Sequence, residues 1–379
     1  MSSDPSAFAI PYYGDSTPLL NALRSKVVSG FLKKCVSLAD SQELSASLEN
    51  SIVAIDELKD TRGLFIPEMS ILMSGLGKDA QFADDPYWSV QQGLIATHLS
   101  GLSEKVEFDL RSENPILILG RAVTLQGGKI RGDRKSVSII DNTGAEVWSL
   151  FNDNDLGSPP TWYDNFATSP ILLPDNKTII VTPDGWHEIV KLQSEIVAPD
   201  HAVISQLNEA FGFMHEHMPV FYDWTTKVLN QVSPMRRPAP NTIASNSSSF
   251  RWGGIDVAAP ATLTETIEML VHECSHQYFH LLCWAGPVTI PEAKSYYSPL
   301  KDIDRPLEKI LLGYHSFVNV ELAFRELKYL GFGSDIRDRR STVKKYLSGL
   351  SSPLKDTMEL SNLGLQVYIP MEEAMLTEA

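Results

Sequence analysis

What the chain has little of narrows the field first. Three cysteines in 379 residues, Cys35, Cys274 and Cys283, make no CxxC pair, so neither a disulfide framework nor a thiolate zinc site is expected. Nowhere do 18 apolar residues run together, and the opening Met1-Ser-Ser-Asp-Pro-Ser-Ala-Phe-Ala-Ile10 lacks a basic segment followed by an apolar core. The expectation is no membrane span, no export signal and a cytoplasmic protein. Basic residues are outnumbered, 32 against 47 acidic, for a formal net charge of -15. That balance argues against nucleic acid or an anionic membrane as the main partner and suits a neutral or basic peptide better. Internal repeats and long low-complexity tails are missing too.

What is present is a chain 43% hydrophobic, enough to bury one large or two ordinary cores. Residues 17 to 59 and 66 to 102 carry apolar positions at helical spacing, as in Leu19-Leu20, Leu23, Val27-Val28 and Phe31-Leu32. Near Lys105 the texture becomes β-like, with Val106 to Leu110, Ile116 to Leu119, Ala122 to Leu125, Val137 to Ile140 and Thr178 to Thr182 as short runs. Turns are expected at Asp141-Asn-Thr-Gly144 and Pro183-Asp-Gly185. Helical periodicity resumes from Ala198 to Val232, and Pro234 to Pro240 is expected to be irregular because proline interrupts regular pairing. Phe250 to Ile255 reads as a strand, and Pro306 to Leu330 as a long helix opened by proline. The fold class expected is α+β, mainly helical, with a sheet region near residues 105–182. The expected organisation is an N-terminal helical region (1–104), a mixed β/α region (105–232) and a metal-binding catalytic region (233–379). The first two are expected to form a platform that helps hold a peptide.

The chemistry concentrates in His272-Glu273-Cys274-Ser275-His276, inside the apolar run Glu265 to Leu282. On a helix, residues four apart share a face, so His272 and His276 can grip one metal ion while Glu273 lies about 100° round. Two histidines seldom complete a site. The 306–330 helix offers two candidates for a third ligand, His315 and Glu321, nearly two turns apart. His215 and His217, two apart, splay from each other and read as a rim feature, and His280 reads as structural.

The segment Leu270-Val-His-Glu-Cys-Ser-His276, with Tyr296-Tyr-Ser-Pro299, Asp304-Arg-Pro-Leu307, Leu312-Gly-Tyr-His-Ser-Phe-Val-Asn-Val320 and Leu360-Ser-Asn-Leu-Gly364, resembles the HExxH-motif peptide-modification proteins. The resemblance covers roughly residues 240 to 365. Members of that family are associated with ribosomal-peptide maturation, and some look like 2-oxoglutarate-dependent peptide β-hydroxylases. The resemblance implies iron(II) held by His272, His276 and His315, with a precursor peptide as substrate and oxidation at a Cβ. It makes Arg305 the candidate for the distal carboxylate of 2-oxoglutarate, and a guanidinium fork does pair with a carboxylate through two bonds. The other reading of Arg305 is a surface residue in a charged loop. Tyr296, Tyr297 and Asn319 are candidates for substrate contact, although the tyrosines equally suit plain packing. Glu273 is then a neighbouring carboxylate or substitute ligand.

The rival from residue chemistry is a zinc hydrolase in which His272, His276 and Glu321 hold the metal and Glu273 is general base for a bound water. A third class is a non-enzymatic peptide carrier with a vestigial metal site.

Overall fold

The computed structural model describes residues 4–76, 84–125, 127–152, 160, 162–164, 168–182, 195, 197–239, 242–355 and 357–377. A 3-10 turn, Pro5–Phe8, precedes helices α1 (Thr17–Leu38), α2 (Gln42–Glu57), α3 (Pro67–Ser70), α4 (Met73–Leu76) and α5 (Pro86–Leu99). Nine strands follow: β1 (Val106–Asp109), β2 (Ile116–Ile118), β3 (Arg121–Val123), β4 (Lys129–Gly132), β5 (Ser136–Ile140), β6 (Glu146–Asn152), β7 (Trp162–Tyr163), β8 (Ser169–Leu172) and β9 (Thr178–Val181). Then come α6 (His201–His217), α7 (Pro219–Thr226), β10 (Gln231–Arg236), β11 (Ser245–Ser247) and β12 (Gly254–Ala259). The last part holds α8 (Leu263–Leu282), β13 (Ser295–Ser298), β14 (Ile303–Pro306), α9 (Leu307–Leu327), a π-helical turn (Lys328–Phe332), α10 (Arg337–Lys355) and α11 (Asn362–Leu376). The fold is α+β and mainly helical. Among the described residues no helix is long and apolar enough to cross a membrane, and the three cysteines are free.

The chain divides into two compact units that do not follow the expected boundaries after residues 104 and 232. One unit comprises Met1–Leu23, Glu209–Lys227 and Ala261–Ala379; the other comprises Arg24–Asn208 and Val228–Pro260. The physical reason lies at Phe8 and Ala9, whose carbonyls are bonded by side chains of α9. Residues near the N-terminus therefore belong with the C-terminal helices.

In the unit containing the strands, β1-β4-β5-β6-β7 form an antiparallel sheet and β11-β12-β10-β9-β8 a mixed one. All six residues of β12 are buried, as a strand with neighbours on both sides requires. The Asp141 turn forms as expected: Asp141 Oδ1 accepts from Thr143 and Ala145 N–H, and Gly144 sits at φ +86°. Pro183 to Gly185 lies outside the described residues. Two expectations are corrected. Pro234 stands inside β10, which pairs with β12 along its whole length but with β9 only at Gln231 and Val232. Pro234 O accepts from Val197 N–H and Arg236 N–H donates to Glu195 O, so the missing proline N–H faces a side where the β9 ladder has already ended. The expected strand Phe250 to Ile255 starts later, at Gly254, because Gly253 turns the chain at φ +67°.

In the other unit, α8 packs on α9, with His272 against Phe317 and Phe279 against His315, which makes the two helices antiparallel. The chain between them contains a β13–β14 hairpin rather than only irregular loop. α8 opens with a capping box: Thr262 Oγ1 accepts from Glu265 N–H, and Glu265 accepts from Thr262 N–H at 2.8 Å. Leu360 to Gly364 forms the start of α11, where Ser361 caps Gly364 N–H and donates to Pro287 O. A Cβ on Gly364 would lie 2.1 Å from Val288 O, so Gly364→Ala should destabilise this unit by about 1–3 kcal/mol through overpacking. Chemical denaturation checks it, and an unchanged midpoint would remove this contact as the reason for glycine there.

Candidate metal centre

Of the 20 residues of α8, most are buried, and His272, His276 and His280 form the half-buried strip where solvent reaches the helix. The i, i+4 spacing does what helix geometry demands: the His272 and His276 rings lie 4.7 Å apart, edge to face at 86°, and His280 is 6.3 Å beyond His276. Glu273 faces elsewhere, 2% exposed, and its charge contributes to pushing the Cys274 thiol up, after burial.

Behind this strip lies an aromatic layer. Tyr278 stacks on Trp224 at 4.3 Å and donates to Trp224 O at 2.9 Å, while Phe8 meets the same ring edge-on at 5.2 Å. His315 enters the layer from α9, 1% exposed, 5.9 Å from Phe279 and 6.5 Å from Trp224. Its Nε2 lies 2.8 Å from Phe8 O. A carbonyl only accepts, so Nε2 carries the proton and Nδ1 keeps its lone pair. That Nδ1 has no hydrogen-bond partner, and neither does His276 Nδ1.

The imidazoles are held neutral. Burial pushes His272 down to about 3, with the Arg339 and His315 charges adding to the effect. His276 is pushed well below the ordinary range by burial, then by its neighbours His272, His280, His315 and Lys309. His315 is pushed down to about 4 by burial, against the pull of the Phe8, Ala9 and Ser275 backbone groups. Neutral rings present lone pairs to a metal.

The fit to an ion is incomplete as the side chains stand. Among the described residues, no group of three or more His, Cys, Asp or Glu is spaced to hold a metal. The structure brings the His272 and His276 rings together, while His315 lies against Phe279 with one buried lone pair that has no hydrogen-bond partner.

Glu321 is placed differently. Its carboxylate is 1% exposed and receives Arg340 Nε at 3.0 Å on both oxygens and Arg340 Nη2 at 2.5 Å, with Arg325 at 3.5 Å. The zinc arrangement with Glu321 as ligand would have to break this clasp.

Arg305 sits half-buried on β14, opposite Tyr296 in the hairpin, not in a loop. Tyr296 donates to Glu359 at 3.1 Å, and Tyr297, 55% exposed, donates to Asp302 at 2.6 Å. Asn319 is fully buried and gives its amide hydrogens to Ala9 O at 3.1 Å and His315 O at 2.9 Å. That placement makes it a fastener of the N-terminal turn, where substrate contact was expected. Phe8 and Ala9 are the site residues the sequence did not announce, because they act through backbone carbonyls. Compared with models of protein families and with curated proteins, the chain matches none.

Neutral burial of His315 carries a pH signature. The unfolded chain takes up a proton near pH 6.5 and the folded one near pH 4, so stability is full above about 6.5 and falls as pH drops towards 4. Urea midpoints across that window should decline in the metal-free protein and decline less steeply in His315→Gln. An identical slope in both would show that His315 is not among the groups responsible.

Proposed function

We propose that the chain is an iron(II)- and 2-oxoglutarate-dependent hydroxylase acting at a Cβ of a peptide residue, with the metal held by His272, His276 and Nδ1 of His315. The observation that carries this reading is the pair of half-accessible imidazoles on one face of α8, backed by a buried third imidazole whose Nδ1 has no partner. A buried, unsatisfied acceptor is costly unless something occupies it, and an ion is one occupant that would satisfy it.

The chain's own residues would divide the work as follows. His272 and His276, fixed by the helix, set the ligand spacing, and burial keeps them unprotonated. The Phe8 carbonyl fixes the His315 tautomer by accepting a hydrogen bond from its Nε2–H, the usual arrangement for a ligating imidazole. Glu273, buried beside the strip, contributes negative charge near the ion without facing it. Arg305, half-buried on the β13–β14 hairpin, is the cation assigned to the distal carboxylate of 2-oxoglutarate. With dioxygen and 2-oxoglutarate, iron supplies the oxidising power that replaces C–H by C–OH, with succinate and carbon dioxide as co-products. The hydrolase reading is weaker because Glu321 is already held by Arg340 and Arg325.

The test is anaerobic loading with iron(II), then addition of 2-oxoglutarate and oxygen. Wild type should bind about one iron per chain and form succinate even without peptide, while His272→Ala and His315→Ala lose the metal and Glu321→Gln retains it. Iron retained in His315→Ala but lost in Glu321→Gln would overturn the ligand set. Peptide cleavage with zinc alone would overturn the reaction class.

A further inference from the structure

A groove of about 650 Å³ opens between α9, α10 and α11, and α8 contributes nothing to it. Its walls carry five cations, Arg325, Lys328, Arg340, Lys344 and Lys355, against two carboxylates, Glu321 and Glu372. In a chain of formal net charge -15, this is a local reversal of sign. At physiological salt, charges beyond roughly 8–10 Å are screened, so the groove's own excess decides what it attracts.

The cations differ in what they already do. Arg340 and Arg325 hold buried Glu321, and Arg325 also donates to Ala374 O and Thr377 O, each at 2.9 Å, at the end of α11. Lys355 lies 3.6 Å from Glu372, which also accepts from the Tyr314 hydroxyl. Lys328 and Lys344 are exposed, and among the described residues neither makes an ion pair. The carboxylates are thus neutralised from within, and of the surplus of three positive charges two stand on these lysines.

We infer that this groove binds an extended acidic peptide segment, at a place separate from the histidine strip. The shape favours a peptide over a compact anion. Arg340, Lys344, Ser348, Ser351 and Lys355 follow one face of α10, and at 1.5 Å per residue they span about 22 Å. An extended chain covers that length in about seven residues, whereas a single phosphate needs donors that converge on one point. The apolar side chains of Leu347, Met375 and Leu376 give the same walls a surface for intervening non-acidic residues. The inference does not depend on the metal reading, because no residue of the groove is a proposed ligand.

The experiment uses the full chain without added metal and a fluorescein-labelled ten-residue peptide rich in Glu and Asp, followed by anisotropy. Binding should weaken roughly tenfold in the Lys328→Glu/Lys344→Glu double variant and fall as salt rises from about 50 to 200 mM. Lys345→Glu, an exposed neighbour outside the groove, should change it less than about twofold. No measurable binding, an equal loss in Lys345→Glu, or inorganic phosphate competing at concentrations like the peptide's would each overturn the inference. Circular dichroism melts of the lysine variants, all exposed positions, separate loss of binding from loss of fold.

Discussion

Two adjacent arginines hold the helical unit together. Arg339 reaches Glu268 on α8, at 2.7 and 2.6 Å, while Arg340 reaches Glu321 on α9. Both carboxylates are almost entirely buried, 2% and 1% exposed. A buried carboxylate without its partner is destabilising by roughly 3–5 kcal/mol; loss of Arg339 would leave Glu268 in that state, whereas Glu321 would keep Arg325 of its own helix. Electrostatics of this kind add little to net stability compared with a well-packed apolar alternative, but they fix register. Here the register in question is that of the helix bearing His272 and His276 against the helix bearing His315.

The same clasp accounts for the division of labour between the two faces of α9. Towards α8 it offers His315 and Phe317; towards α10 and α11 it offers Tyr314, Glu321 and Arg325. Because Glu321 is consumed by Arg340 and Arg325, the strip beside His272 is left with imidazoles and no facing carboxylate from α9. An all-nitrogen set carries one negative charge fewer than the common two-histidine, one-carboxylate arrangement, and a metal held there would have a correspondingly altered potential.

Periodicity made the histidine helix legible, since apolar residues from Glu265 to Leu282 recur at helical spacing. The short strands after Lys105 were legible for the same reason at period two. Three things were not. Pro234 within a strand depends on which neighbour runs out first, a fact of register. The commitment of Glu321 depends on Arg340, 19 residues away and on another helix. The docking of Phe8 and Ala9 beneath α9 runs through carbonyls, which every residue possesses, so no side-chain pattern could mark it.

The bond from His315 to Phe8 closes a loop of 307 residues. Chain closure over such a distance is among the last events in assembly, because the entropy lost in joining remote segments is recovered only once both have partners. During synthesis the bond from His315 to the Phe8 carbonyl must therefore wait until α9 has emerged. A nascent protein would acquire its helices well before it acquired the means to fix the tautomer of its third imidazole.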